Sequence, residues 1–353
     1  MPVLLKEEAE RRKRRDLVGY LAECRDLVMD EIRSFIPRNR LSPILYDLML
    51  EYPLRSGKGF RPALCIATSR ALGGRVQDVL QTAAVLELYH NAFLLHDDVE
   101  DGSLKRRGHP ALHVEYGVPI AVNVGDAMNA MCLGPLLENT KTLGLGKALR
   151  ILGIVARMAR ESVEGQAIEL DWVRRSEWDL TDRDYCRMAY KKTCWYTFIA
   201  PMQIGAVAAG AGPRQLALLR RYATYMGVAF QIQDDLLNLL ADEGLYGKEI
   251  GGDLWEGKRT VVLLHMMRSA ARPHQAHARG ILEKPRPAKT AQDIRDLYAL
   301  IHAQDSVRHA QALAGTLARK AERILTLTYA WLPPSVHRDF LLAMAEHVIT
   351  RDR

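Results

Sequence analysis

Two pairs of adjacent aspartates, each in an apolar run, are the strongest chemical signal in this chain. The run TAAVLELYHNAFLLHDDVED ends in Asp97, Asp98, Glu100 and Asp101. Asp97 and Asp101 are four apart and share a helical face. Asp98 lies about 60° from Asp101 on the same side, at ~100° per residue. Like charges at that spacing repel by a few tenths of a kcal/mol, and a helix C-terminus is the wrong end for anions. Taken alone, the cluster is either a solvated acidic helix end or a site for magnesium, a hard cation that prefers carboxylate oxygens. The second run, AFQIQDDLLNLLAD, carries Asp234 and Asp235, with Asn238 four residues after Asp234. Facing each other across a bundle, the two clusters would hold several divalent ions around a diphosphate, because magnesium keeps waters and shares phosphate oxygens.

Cations cluster where phosphate work needs them. Gly57-Lys58-Gly59-Phe60-Arg61-Pro62 sets two cations on a turn entering a helix, where backbone N–H groups also meet phosphate. Arg106-Arg107-Gly108 follows the first acidic cluster; arginine offers a planar fork to phosphate oxygens and lysine a point charge. Gly57-Lys58 alone is weak, since the full phosphate-loop pattern is missing. His90, seven residues before Asp97, is either a hydrogen-bonded core residue or a ligand. Lys192-Thr193 and Lys248 are further candidates, each alone indistinguishable from surface.

The elements that must position these groups are helices. Period-2 runs are nearly absent, and helix-period segments are expected at 5–36, 40–51, 61–72, 77–101, 118–138, 144–172, 182–210, 213–241, 258–271, 291–303, 305–331 and 335–349. Glu243 to Gly257, with five glycines, and Arg272 to Thr290, with three prolines, read as irregular, the latter as an exposed connection. Helices with apolar faces and no strands imply an all-α fold, a single helical bundle around a central cavity, spanning residues 1–353 as one domain.

Composition narrows the classes. Hydrophobic residues make up 48% and charged residues 26%, the balance of a globular protein. The five cysteines Cys24, Cys65, Cys132, Cys186 and Cys194 form no C-x-x-C pair and read as reduced core thiols. The start MPVLLKEEAERRKRRD is too short in its apolar part for a signal peptide. The longest apolar stretch, Phe198 to Gly212, is broken by Pro201 and Gln203 and falls short of the ~20 residues of a membrane span. A cytoplasmic location with no integral membrane span is expected. The net charge of +7 comes without zinc-finger spacing, RNP motif or basic recognition helix, so no nucleic acid is expected as a partner; small diphosphates suit a mild basic excess equally well.

Together the motifs resemble the trans-isoprenyl diphosphate synthases, the polyprenyl synthetase family. The matches run in order: GKGFRP at 57–62, DDVED at 97–101, RRG at 106–108, GQAIELD at 165–171, KT at 192–193, FQIQDD at 230–235 and GGDLWEGKRT at 251–260. The resemblance implies an isoprenoid synthase fold and a magnesium-dependent prenyltransferase acting on isopentenyl diphosphate and an allylic diphosphate. It implies that Asp97 and Asp101 bind the Mg2+ ions of the allylic diphosphate with Asp98 in support, and that Asp234, supported by Asp235, does so from the opposite helix. Arg106, Lys192 and Lys248 would bind the allylic diphosphate, and Lys258 would help as it ionises. Lys58, Arg61, His90 and Arg107 would hold isopentenyl diphosphate without metal; Thr193 and Gln231 would line the reacting centre. A homodimer is implied on the same ground.

Two positions depart from the family pattern: Asn238 stands where many members have Asp, and Glu169 where Asp is frequent. Chain length in the family is set by the stretch before the first aspartates, here Tyr89, Ala92 and Phe93. Ala92 removes a bulky block found in many farnesyl-producing members, which points to geranylgeranyl diphosphate, with farnesyl diphosphate next. The competing readings are a terpene cyclase on the same fold, which needs no isopentenyl site, and a non-catalytic subunit of a heteromeric synthase, hinted at by Asn238 alone.

Overall fold

Helices carry nearly all of the described chain, residues 2–37, 42–55, 57–240, 251–327 and 331–350 of the computed structural model. In order they are α1 (Pro2–Phe35), α2 (Pro43–Leu54), α3 (Phe60–Ala71), α4 (Leu80–Asp101), α5 (Leu112–Tyr116), α6 (Val118–Met131), α7 (Leu133–Leu143), α8 (Leu145–Arg174) and α9 (Asp182–Ala189). A π-helical stretch, Tyr190–Ile199, leads into α10 (Ala200–Ala208). Then come α11 (Pro213–Leu240), α12 (Gly252–Glu256), α13 (Val261–Ser269), α14 (Arg272–Leu282), α15 (Ala291–Ala303), α16 (Ser306–Thr326) and α17 (Val336–Thr350). Their buried apolar side chains form one contiguous cluster from Leu17 to Met344.

Helix α4 is buried along most of its length, from Thr82 to Leu95, as its nearly unbroken apolar sequence requires. It packs against α1, α3 and α6. Gly102 stops it, with φ of 63° in the left-handed region, and Ser103 donates its N–H back to the Asp98 carbonyl at 3.0 Å. This glycine C-cap leaves the four acidic residues on the last turn.

A two-stranded antiparallel hairpin follows, Lys105–Arg106 paired with His109–Pro110, which corrects the expectation of a strandless chain. Its two-residue loop has Arg107 at φ 54° and Gly108 at φ 79°, the pair of positive values that a type I′ turn demands. The turn sends consecutive arginines in different directions, Arg106 to Asp98 of α4 and Arg107 to the Tyr52 carbonyl of α2.

Four helix expectations change, the first at Gly252–Glu256, which is helical as α12 inside the run read as irregular. The segment 118–138 is two helices divided at Cys132, the second running on to Leu143. Between 182 and 210 the helix is π-coiled at its centre. Arg272 to Thr290 contains a helix, α14: Pro273 sits in its first turn, where the missing N–H costs nothing, and Ala278, Ile281 and Leu282 are buried. The run Val118–Leu143 is apolar and long enough by composition to cross a membrane, a stronger such signal than Phe198–Gly212, yet it is divided between α6 and α7.

Candidate active site

Helices α4, α8 and α11, the π-helical stretch, the hairpin and the segment after α12 bring the acidic and basic motifs to one cavity of about 490 Å³. Asp97 from α4, Lys192 and Thr193 from the π stretch, Gln231, Asp234 and Asp235 from α11, and Arg106, Lys258 and Glu169 line it. The two aspartate pairs therefore meet, and in each pair the second member is the more deeply placed. Asp98 is fully buried and lies outside the lining. Arg106 Nε donates to both its oxygens at 2.9 and 3.0 Å, and the Tyr52 hydroxyl donates at 2.9 Å. Grouped with the metal ligands by its motif, Asp98 is thus committed to holding Arg106 against α4. Asp235 lines the cavity but accepts hydrogen bonds from the Tyr185 hydroxyl at 2.6 Å and Gln231 Nε2 at 2.9 Å. Burial pushes its carboxyl up to about 7.

Asp97 sits among donors: Lys192 Nζ at 3.1 Å, Gln166 Nε2 at 3.3 Å and Arg106 Nη2 at 3.4 Å. Asp101 faces the wall shared with a neighbouring cavity and accepts from Lys258 Nζ at 2.5 Å. Burial raises its carboxyl to about 7, against the attraction of Lys258 and with the repulsion of Asp97. Burial works against the charges of Lys192 and Lys258, yet the carboxylates around each, Asp97 and Glu169 for the first and Asp101 and Glu256 for the second, hold both pKa values above the ordinary lysine range. Glu169 is buried with Lys192 donating to it; burial raises its carboxyl, and Lys192 more than offsets that.

The π-helical stretch is what puts Lys192 and Thr193 at this depth. A methyl at Gly165 of α8 would overlap the Lys192 backbone, and one at Gly227 of α11 would lie 2.6 Å from Cys194 Sγ. Two glycines on facing helices thus let the widened coil sit between them. Thr193 Oγ1 donates to Gln231 Oε1 at 2.5 Å, so its lone pairs remain for the cavity.

A second group of cations lies across Tyr196, which lines the cavity. The Arg61 guanidinium is 4.5 Å from the Tyr196 ring centre and donates to Thr197 Oγ1 at 2.9 Å. His90 stacks on the same ring at 5.8 Å. Arg107 donates to the Tyr52 carbonyl at 2.9 Å, and its Nη2 lies 3.5 Å from His90 Nε2. Gly57 gives it room: a methyl there would meet the guanidinium at 2.9 Å. Lys58, on the same turn, is exposed, its Nζ 5.6 Å from the Phe60 ring centre. Burial first, then Arg61 and Arg107, holds His90 well below its usual range, and burial with neighbouring arginines lowers Arg107. Cations crowded this way, with little carboxylate to balance them, make a socket for an anion.

Among the described residues no three metal-binding side chains close on one point. Asp97 and Asp234 line the cavity from opposite walls, where a divalent cation would find one carboxylate on each side and would take its other ligands from phosphate oxygens and water. Asn238 plays another part: its Oδ1 accepts the Asp253 N–H at 3.1 Å, capping the turn into α12. The Asp253 side chain itself lines the cavity. Sequence reasoning assigned it no role, nor Gln166, although both lie inside quoted motifs. It also passed over Tyr196, four residues beyond Lys192. Of the chain-length residues, Phe93 lines the cavity, 5.6 Å from Tyr196 and 6.0 Å from Tyr89 between ring centres. Tyr89 and Ala92 are not among the lining residues, and Ala92 is fully buried. Lys248 lies outside the described residues.

A family model described as Polyprenyl synthetase matches residues 43–301. The chain is 30% identical over 335 residues to a short chain isoprenyl diphosphate synthase of Methanothermobacter thermautotrophicus, covering 92% of this chain and 99% of that one. It superposes on the geranylgeranyl pyrophosphate synthetase of Pyrococcus horikoshii with a TM-score of 0.85 at 28% identity, over 96% of this chain and 99% of the other. A polyprenyl synthase from Caulobacter crescentus, solved with calcium and isoprenyl diphosphate, gives a TM-score of 0.82 at 29% identity, over 96% and 98%.

Proposed function

Because the chain belongs to the polyprenyl synthetase family, we propose that it is a magnesium-dependent prenyltransferase that joins isopentenyl diphosphate to an allylic diphosphate, making geranylgeranyl diphosphate or, next, farnesyl diphosphate. The observation that carries this reading is the pairing of two anion sites of different kinds. One is carboxylate-rich, with Asp97, Asp234, Lys192 and Lys258 on a common cavity. The other is a metal-free group of Arg61, His90 and Arg107 beyond Tyr196. A cyclase needs only the first.

Bound between the two aspartate walls, magnesium would neutralise the charge that develops on the leaving diphosphate. Lys192, Lys258 and Arg106 add fixed positive charge at the same place, where preorganised groups act without reorganising. The allylic C–O bond breaks, leaving a delocalised carbocation facing Thr193 Oγ1, whose proton is already engaged with Gln231. Arg61, His90 and Arg107 hold the isopentenyl diphosphate so that its alkene meets the cation, and this positioning supplies much of the acceleration. A proton then leaves the new chain, with the departing diphosphate as base.

The growing chain runs from the carboxylates past Phe93. Phe93→Ala is expected to shift the product towards longer chains, read by chromatography; an unchanged distribution would remove Phe93 from the wall. We include a homodimer in the proposal. Val118, Val122, Leu133 and Leu137 on α6 and α7 are all exposed, an apolar face of the kind that a partner covers; a monomer by light scattering at micromolar concentration would overturn it. The setting we propose is the cytoplasm, in keeping with five unpaired cysteines. The activity is tested by supplying labelled isopentenyl diphosphate with each allylic primer and magnesium to the purified protein. Extended prenyl diphosphate that vanishes with chelator is expected. A hydrocarbon or alcohol formed from the primer alone would favour a cyclase, and no product at all a non-catalytic subunit.

A further inference from the structure

A second cavity of about 350 Å³ adjoins the first and shares with it Glu100, Glu169, Leu170, Lys258 and Arg259. Beyond those shared walls lie Asp101, Glu256, Trp255, Leu282, Pro285 and Arg286. Arg259 stands at the junction and is 2% exposed. Its Nε donates to the Glu177 carbonyl at 3.0 Å, Nη1 donates to the Gly257 carbonyl, and its guanidinium lies 4.1 Å from the Trp178 ring centre. Nη2 is buried with no partner, although a guanidinium has donors on every nitrogen and an unmet buried donor is costly.

Behind the Trp255 wall, Lys289 is 7% exposed and donates to the Trp255 carbonyl at 2.6 Å. Burial, then repulsion from Arg286 and Arg259, lowers its ammonium to about 8, and burial with Arg279 nearby lowers Arg259 to about 10. Cations gathered against their own repulsion also mark the Arg61–His90–Arg107 socket. Here the carboxylates Asp101 and Glu256 stand alongside, both paired to Lys258, and Glu256 also to Arg286 at 3.4 Å. An alternation of carboxylates and cations suits a metal–phosphate ion pair better than a bare anion.

We propose that this second cavity receives the inorganic diphosphate released by condensation, as its magnesium complex, and conducts it to solvent past Lys258, Arg259 and Arg286. The inference rests on the reading of the first cavity as the site of transfer. A multiply charged product gripped by Lys192, Lys258 and Arg106 leaves slowly unless the next cation is within reach, and Arg259, on the wall both cavities share and with one nitrogen unmet, is that cation. The side chains of Leu282 and Pro285 on the same walls carry no polar atom that would trap it.

The test follows one enzyme turnover with two readouts, prenyl product by quench and diphosphate in solution by a fluorescent sensor, in the unsubstituted protein, Arg259→Gln and Arg286→Gln. Product formation is expected to change little in Arg286→Gln, which lies outside the first cavity; in Arg259→Gln the diphosphate trace is read against the product formed by that same variant. Diphosphate appearance is expected to slow about tenfold in Arg259→Gln and about threefold in Arg286→Gln, following the larger effect of a buried charge over a rim charge. Diphosphate that keeps pace with product in Arg286→Gln and in any folded Arg259→Gln overturns the conduit; should Arg259→Gln fail to fold, Arg286→Gln decides alone. If the unsubstituted protein forms no prenyl product, the reading of the first cavity fails instead.

Discussion

Helices α4 and α11 bring nearly identical aspartate pairs towards one cavity, and each second aspartate accepts a tyrosine hydroxyl, Tyr52 on Asp98 and Tyr185 on Asp235. Only α4 adds cations to that frame: Arg106 on Asp98, Lys192 on Asp97 and Lys258 on Asp101. On α11 Asp235 is restrained by the neutral Tyr185 and Gln231, and the third position, Asn238, is turned to the backbone of α12. In the proposed reaction the cations that steady α4 would also receive the leaving diphosphate, so one set of side chains would hold the helix end and prepare the reaction. The neutral network on α11 holds Asp235 beside Asp234 on the cavity wall without a cation on either Tyr185 or Gln231. A pair of aspartates therefore has no fixed meaning; Asp98 is withdrawn from the cavity to anchor Arg106, whereas Asp235 lines it and is held by Tyr185 and Gln231.

The hardest way to break this contrast is Asp97→Ala. Turnover should fall roughly 1000-fold, the scale of losing a preorganised charge contact, with the helical circular dichroism unchanged; near-normal turnover at limiting magnesium would end its assignment as a ligand. Next comes stability. Asp98→Asn leaves Arg106 buried with half a partner and should cost about 3 kcal/mol in urea unfolding, whereas Asp235→Asn, losing only neutral hydrogen-bond geometry, should cost about 1 kcal/mol. Equal costs would show that the two anchors do not differ in kind.

Gly165→Ala tests how Lys192 reaches Asp97. The methyl must displace the Lys192 backbone, and a shift of that order is worth roughly 100-fold in kcat/KM. The loss should appear mainly in the allylic substrate and spare the KM for isopentenyl diphosphate; equal losses for both would point to general loosening. The smallest effect is expected from Asn238→Asp. Since its oxygen caps the Asp253 N–H, the magnesium dependence should move by less than about threefold, and a tenfold gain in magnesium affinity would make position 238 a ligand in its own right.

Much of this could be read along the chain. The apolar run before Asp97 and the paired aspartates on two long helices marked α4 and α11, and Lys192, Thr193, Gln231 and Lys258 all line the cavity that joins them. What escaped reading has identifiable causes. Helix α14 was hidden by prolines, because Pro273 in a first turn looks like a breaker until the burial of Ile281 and Leu282 is seen. The hairpin at Arg106 and Arg107 has strands too short for any periodicity. Asp253 and Tyr196 are single residues whose neighbours come from other helices.

The amino-acid order by itself determined that this chain is helical, where the carboxylates and cations stand along it, and that they are of the types that handle diphosphates, because helical spacing and side-chain chemistry are local properties. Which aspartates face the cavity, why Asn238 caps a turn, and how Arg259 comes to span two cavities were decided only when the helices packed. Those outcomes depend on what each side chain meets across the interior, and burial changes the cost of every unpaired charge by more than sequence spacing can register.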